Sequence, residues 1–344
     1  MMEMNPAPII KTATAFYDSC VLFAALEVGI FRLLAEIGPA DVETVAQRLK
    51  LDPRGARLLL NACTALGLLV KERATYRNSP ETTAFLVPGS PADLSRAIQY
   101  NRDVYHAWGR LAEMVRTGKP VEKPAIHLGH NPERTRAFVM AMHARALWMG
   151  PAVVPHLDTR NARLLLDVGG GPGTFSVLLA QANPHLRCIV LDLPEIVAVA
   201  QELIEQQAMT ARVATLAGDY HSMPFPREVD IVNFLGVLHQ ESPAAIRSLF
   251  QKAFEALRPG GRVNVLDMMT DATHTQPRFS ALFALNMALT TEYGWVFSDA
   301  ELRQWLVEAG FTNFSVRPLE EPIPHWLATA HKPDAQQGAH SEAP

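Results

Sequence analysis

The stretch Arg163-Leu164-Leu165-Leu166-Asp167-Val168-Gly169-Gly170-Gly171-Pro172-Gly173-Thr174 decides the fold. A short apolar run bounded by glycines reads as a buried strand, and the spacing from Thr174 to Gln181 predicts a helix directly behind it. Strand, glycine-rich turn and helix together bring the backbone close to a ligand and aim amide groups at it. Outward from that turn, short apolar segments alternate with helical ones. Arg187 to Leu191, a segment ending before Gly218, Asp230 to Leu235 and Arg262 to Asp267 are the expected strands. Ser242-Pro243 opens a helix that Arg258-Pro259-Gly260-Gly261 closes, and Ser298 with Glu301 forms a capping box for a last helix stopping at Gly310. The alternation predicts an α/β unit with a parallel sheet and crossover helices.

The N-terminal part reads differently. Apolar residues recur at helical spacing from Ile10 to Leu34, then Gly38-Pro39 breaks the pattern. A second helix is expected over Val42 to Leu49, and a third from Asp52-Pro53 to about Leu66, with Asp as cap and Pro at its first position. Leu68 to Tyr76 suits a short hairpin, which completes a winged-helix order. Such a unit either reads DNA or buries apolar helices against a second copy of itself. Its third helix offers Arg54, Arg57 and Asn61 among mostly apolar positions, which favours self-association. The expected organisation is residues 1–90 as this unit, 91–158 as linking helices, 159–333 as the α/β domain and 334–344 as a frayed tail.

Composition narrows the function classes. The formal net charge of -4 gives no surplus of Lys and Arg for a phosphate backbone, so no nucleic-acid partner is expected. Cys20, Cys63 and Cys188 are odd in number and widely spaced, which fits a reducing, cytoplasmic setting better than a disulfide framework. Val21 to Leu34, interrupted by Glu27 and Arg32, reads as a buried helix, and neither a secretory leader nor a membrane partner is expected.

The ligand follows from the turn. In a dinucleotide fingerprint the third glycine lies three residues after the second, where this chain has Thr174. The spacing Gly169, Gly171, Gly173 behind Asp167 instead suits a ligand whose charged end is an amino acid, so S-adenosylmethionine (SAM) is favoured over NAD. Asp192 ends the second strand at about the 20-residue offset expected of a ribose ligand. Gly218-Asp219-Tyr220 falls where the third strand ends, so Asp219 can accept from the adenine amino group beside Tyr220, or else serve as a turn residue. His239, one of 12 histidines, stands just past the fourth strand at the carboxyl edge where open α/β sheets bind ligands. A histidine there can take the proton of a hydroxyl attacking a sulfonium methyl. Trp108, Met142, His143, Trp148, Asn286 and Met287 are candidates for an acceptor pocket, although helix core is an equally good reading for each.

Taken together, Leu166-Asp167-Val168-Gly169-Gly170-Gly171, Leu191-Asp192-Leu193-Pro194, Gly218-Asp219, Val237-Leu238-His239 and Arg258-Pro259-Gly260-Gly261-Arg262 resemble the SAM-dependent O-methyltransferases of the caffeate and acetylserotonin type, including bacterial polyketide-tailoring relatives. The resemblance covers nearly the whole chain. It implies a Rossmann-like class I methyltransferase domain, an N-terminal winged-helix dimerisation module over Ala25 to Phe85, a homodimer, and a small-molecule acceptor without a metal. It implies a cofactor set of Asp167, Gly169, Gly171, Gly173, Asp192, Leu193, Gly218, Asp219 and Tyr220. It also implies His239 as general base, with Asp267 orienting it where the family usually has Glu. Two departures stand out: family members often read His-Asp-Trp where Gln240 and Glu241 follow His239, and Val296 replaces a second acid, with Glu292 nearby but out of register. Relatives on this scaffold that methylate carbon, hydroxylate or decarboxylate remain alternatives, as does a SAM-sensing DNA-binding regulator.

Overall fold

The computed structural model describes residues 4–123, 129 and 131–334, so the expected tail from 335 onward lies outside the described residues. The chain divides into two compact units, Met1–Asp103 and Val104–Pro344, with the division inside the stretch expected as linking helices.

The first unit contains α1 (Ala7–Thr14), α2 (Phe16–Val28), α3 (Ile30–Ile37), α4 (Val42–Leu49), α5 (Pro53–Ala65), the hairpin β1 (Leu69–Glu72) and β2 (Thr75–Asn78), α6 (Pro80–Phe85) and α7 (Ser95–Asp103). Asp52 caps α5 by accepting from the Gly55 amide, as its sequence position predicts. The single helix expected from Ile10 to Leu34 is instead three. Gly29 has φ 83°, a left-handed conformation that ends α2 and starts α3 at a new angle, which periodicity alone does not register. The expectation of a buried helix over Val21 to Leu34 holds only for its second part, since α3 buries Ile30, Phe31, Leu33 and Leu34 whereas α2 buries Ala25 alone.

The second unit begins with α8 (Tyr105–Trp108), α9 (Leu111–Thr117) and the long α10 (Pro132–Val153). Then β3 (Leu164–Val168), α11 (Thr174–Ala182), β4 (Arg187–Asp192), α12 (Pro194–Gln206), β5 (Val213–Ala217), β6 (Val229–Leu235), α13 (Pro243–Ala256), β7 (Leu257–Asp267), α14 (Arg278–Thr290), α15 (Asp299–Glu308), β8 (Thr312–Pro318) and β9 (Trp326–His331) follow. The sheet order is β5-β4-β3-β6-β7-β9-β8. The strands from β5 to β7 are parallel, as expected, but β9 runs antiparallel to both β7 and β8, so the sheet is mixed. The last two strands and α14 carry no glycine-rich signal and were not anticipated. The capping box of Ser298 and Glu301 is present.

Both faces of the sheet are covered. Leu166, Val168, Phe234, Val263 and Val265 pack with Phe250 of α13 and Trp305 of α15, while Leu165, Val190 and Ile231 pack with Val177 of α11 and Ile204 of α12. A strand buried on both faces is mostly apolar, which is why β3 and β6 read as near-continuous runs, broken only by the buried Asp167 in β3 and by Asp230 and Asn233 in β6. Ala7–Val28 and Pro132–His156 are each long and apolar enough to cross a membrane, and within the second of these α10 packs on α11 and α12.

Candidate active site

The first half of the site is made of backbone. Gly169, Gly171 and Gly173 have φ of 63°, 54° and 70°, a region that side chains disfavour. A Cβ on Gly169 would stand 2.6 Å from Val237 Cγ2, and one on Gly170 would stand 2.8 Å from Asp167 Cγ. At Gly171 a Cβ would meet nothing within 4 Å, so the loop opens there onto free space. Gly173 faces Val190 and Ile204 and serves the packing of α11 on the sheet, and Gly218 abuts Met223.

Two acids flank this loop. Asp192, at the end of β4, accepts the Gly171 amide on Oδ2 and the Leu193 amide on Oδ1, each at 2.8 Å. Each oxygen keeps a second lone pair for a ribose hydroxyl. Burial pushes its carboxyl up to about 6, against those two backbone hydrogen bonds. Asp167 lies beneath the loop, where Oδ2 accepts from Ser176 Oγ at 2.7 Å. Its Oδ1 is buried with no partner among the described residues, and burial pushes the carboxyl up to about 7. A buried orphan acceptor beneath an open glycine loop suits the ammonium of an amino-acid end, so these residues fit SAM. Asp219 is exposed and its Oδ1 accepts the His221 amide at 2.8 Å, the geometry of a turn residue. Tyr220 is buried, with its ring toward Gly169 and its hydroxyl donating to Glu241 Oε1 at 2.6 Å.

The second half is made of side chains. β6 ends at Leu235, Gly236 turns the chain with φ 80°, and His239 sits in a single 3-10 turn, Leu238–Gln240. Its Nδ1 lies 2.6 Å from Oδ1 of Asp267, which is fully buried at the end of β7. Asp267 also accepts the Met268 amide on Oδ1 and the His239 amide on Oδ2. With its oxygens accepting backbone amides, the carboxylate requires the imidazole to donate from Nδ1, which leaves Nε2 as the acceptor. The Phe283 ring meets His239 edge-on at 5.2 Å and stacks on Phe279 at 6.4 Å, so α14 supplies an aromatic wall that the sequence reading missed.

His325 was also missed. It precedes β9, whose first residue Trp326 pairs with Asp267. Its Nδ1 is buried without a partner among the described residues. Burial lowers its pKa to about 4; Asp267 opposes the shift, and His239 and Arg145 add to it. Val296 is buried and apolar, and Glu292 is exposed and bonded to Tyr293, so neither places a second carboxylate against His239.

Of the pocket candidates, Trp108 and Asn286 are brought together, the indole Nε1 donating to Asn286 Oδ1 at 3.0 Å. Met287 lies against Gly294. His143 instead contacts Thr174 Oγ1 at 2.7 Å and lines a small cavity with Pro172, Leu203 and Gln207, on the side of the cofactor loop. Trp148 packs against the core beneath the sheet, and Met142 on α10 is partly buried.

A glycine loop that fits an amino-acid nucleotide, on a seven-stranded sheet whose last strand is antiparallel, defines an S-adenosylmethionine-dependent methyltransferase. The chain belongs to the O-methyltransferase family: the O-methyltransferase domain matches residues 108–312 and the O-methyltransferase dimerisation domain matches residues 10–88. It is 35% identical over 336 residues to the tetracenomycin polyketide synthesis 8-O-methyl transferase TcmO of Streptomyces glaucescens, covering 96% of this chain and 97% of that one. It is 34% identical to the 3-hydroxy-5-methyl-1-naphthoate 3-O-methyltransferase of Streptomyces sahachiroi, covering 89% of each. Human N-acetylserotonin methyltransferase in complex with SAM superposes with a TM-score of 0.86 at 28% identity, covering 96% of this chain and 99% of that one. The dimerisation match takes up the self-associating side of the winged-helix alternative.

Proposed function

We propose that the chain methylates a hydroxyl of a small aromatic or polyketide-like molecule, with His239 as general base and Asp267 orienting it. The observation that carries this reading is the 2.6 Å contact between His239 Nδ1 and the buried Asp267, which fixes the tautomer and leaves Nε2 free to accept a proton. The names of the bacterial relatives support an aromatic polyketide acceptor, as does the Phe283 ring beside His239.

Gly169 and Gly171 would approach the methionine end of SAM, with Asp167 facing its ammonium, Asp192 and Leu193 at the ribose, and Asp219 and Tyr220 on the adenine side. Bound SAM supplies a methyl group made electrophilic by its sulfonium. The protein then holds the acceptor oxygen in line with that methyl, and positioning of this kind contributes up to about 7 to 11 kcal/mol. Removal of the hydroxyl proton by Nε2 contributes roughly 10²- to 10⁴-fold. His239→Ala tests the reading. S-adenosylhomocysteine release with a panel of phenolic acceptors should fall by about that factor while calorimetric SAM binding is kept. Undiminished turnover would remove His239 from the mechanism.

We also read the protein as a homodimer. Ile9, Ile10, Phe16 and Tyr17 on α1 and α2 are large, apolar and at least half exposed, and α1 buries no residue of its own. A second copy over that face is what the dimerisation domain provides for, and sedimentation should give twice the chain mass. The three free cysteines suit a cytoplasmic location.

A further inference from the structure

The turn that carries His239 is held by a second network on the side opposite Asp267. Tyr220 donates to Glu241 Oε1 at 2.6 Å, and Gln240 Nε2 donates to the Tyr220 oxygen at 3.1 Å. The other Glu241 oxygen lies 3.3 Å from His221 Nε2. Lys252 Nζ ties down the Tyr220 and His221 carbonyls. From the other side, Trp295 donates its indole N–H to the Glu241 carbonyl and its backbone N–H to the His239 carbonyl, both at 2.9 Å. Tyr220 and Glu241 are both buried, so the hydrogen bond between them is made where water cannot replace it. Burial, and after it the Glu241 carboxylate, raises the Tyr220 hydroxyl, which keeps it a donor.

These contacts fall where the chain departs from its family. By the resemblance drawn from the sequence, Glu241 stands in the segment that in the family often reads His-Asp-Trp, and Trp295 adjoins Val296, at the place where the resemblance implies a second acid. We propose that Glu241 is a positioning residue for His239: through Tyr220, Gln240 and the main chain of residues 239–241 it supplies the second hold that Val296 cannot. The inference rests on the reading of His239 as general base. Its cause is geometric, since a base displaced by about 1 Å can lose on the order of 10²-fold in rate.

The test is a double-mutant cycle. Glu241→Gln and Tyr220→Phe, each close to isosteric, are made alone and in the His239→Ala background. Activity is read as kcat, SAM binding as a dissociation constant, and the base itself as the low-field proton resonance of His239 Nδ1, assigned by its loss in His239→Ala. Each single variant should lose about tenfold in kcat and shift or broaden the resonance, and Glu241→Gln, which lies outside the cofactor set, should keep its SAM dissociation constant within about twofold of the parent. In the His239→Ala background the same changes should cost less than about twofold more, because there is no base left to misplace. An equal loss in both backgrounds would show a role in binding or folding and overturn the proposal, as would unchanged kcat with an unmoved resonance. Should His239→Ala itself turn over normally, the base assignment fails, and the resonance alone then decides whether Glu241 positions the ring. If Glu241→Gln does not fold, Tyr220→Phe, which removes one oxygen, carries the test.

Discussion

The two halves of the site are built by opposite means. On the β3–β4 side the ligand surface is backbone: three glycines in the left-handed region, amides, and two acids held by local hydrogen bonds. On the β6–β7 side it is side chain: His239, Asp267, Phe283 and the Tyr220–Glu241 pair, drawn from segments up to 63 residues apart, from Tyr220 to Phe283. A backbone site tolerates almost no added atom, whereas a side-chain site tolerates substitution but loses alignment. The first should therefore fail in binding and the second in rate.

The strongest way to break that contrast is Gly169→Ala. The added Cβ meets Val237 at 2.6 Å and the residue must keep φ 63°. The loop can relieve strain and overpacking of the order of 1 to 3 kcal/mol each only by leaving the conformation that accepts the ligand, so SAM affinity should fall by about 10³-fold. Calorimetry would check it, and an affinity within tenfold of the parent would mean that the loop yields where we hold it rigid.

The counterpart on the other side is Asp267→Asn. The amide still accepts but no longer compels Nδ1 to donate, so the wrong tautomer becomes available to His239. We expect kcat to fall by about 10²-fold, within the range of general-base catalysis, with SAM affinity unchanged. A change in affinity of the same size would erase the distinction between the halves.

That distinction also explains what could be read from the residues alone. The glycine turn, Asp192 and the strand–helix alternation lie within one local segment, and glycine at left-handed φ leaves a visible spacing. His239 and Asp267 were legible because each closes an apolar strand at the same sheet edge. Glu241, Phe283 and His325 were not, because a buried hydrogen bond or ring contact over tens of residues leaves no periodic trace. Gly29 marks the opposite failure: an apolar pattern ran unbroken across a residue whose φ of 83° ends the helix. The antiparallel β9 escaped for a related reason, since Trp326 to His331 follows two prolines rather than a crossover helix.

A smaller effect sharpens the cofactor half. Asp167 and Asp192, with pKa values raised to about 7 and about 6, carry protons below those values in the ligand-free protein. An ammonium and ribose hydroxyls favour the ionised carboxylates, so SAM binding should release protons between about pH 5 and 7, and affinity should fall as pH falls through that window. Calorimetry at pH 6 in two buffers of different ionisation enthalpy measures the release. Net proton uptake would mean that these acids do not face the ligand.

The smallest effect concerns His325, beside the side-chain half. Folding holds its imidazole neutral, lowering its pKa from 6.5 to about 4. The stability of that neutral ring is therefore whole above pH 6.5, is lost progressively as pH falls toward 4, and changes no further below that. The buried acids act in the opposite sense, because their raised values make folding less favourable as pH rises from 3.8 toward 7. Their slopes mask His325 in the parent, so the difference between parent and His325→Gln is the quantity to measure. At pH 5 the parent should have lost about 2 kcal/mol of the His325 contribution relative to pH 7.5, and the variant none of it. The gap between their melting temperatures should then shift by a few degrees in favour of the variant on acidification. A constant gap from pH 7.5 to 5 would mean that the ring is hydrated and that Asp267 faces a wetter neighbour than the buried Nδ1 implies.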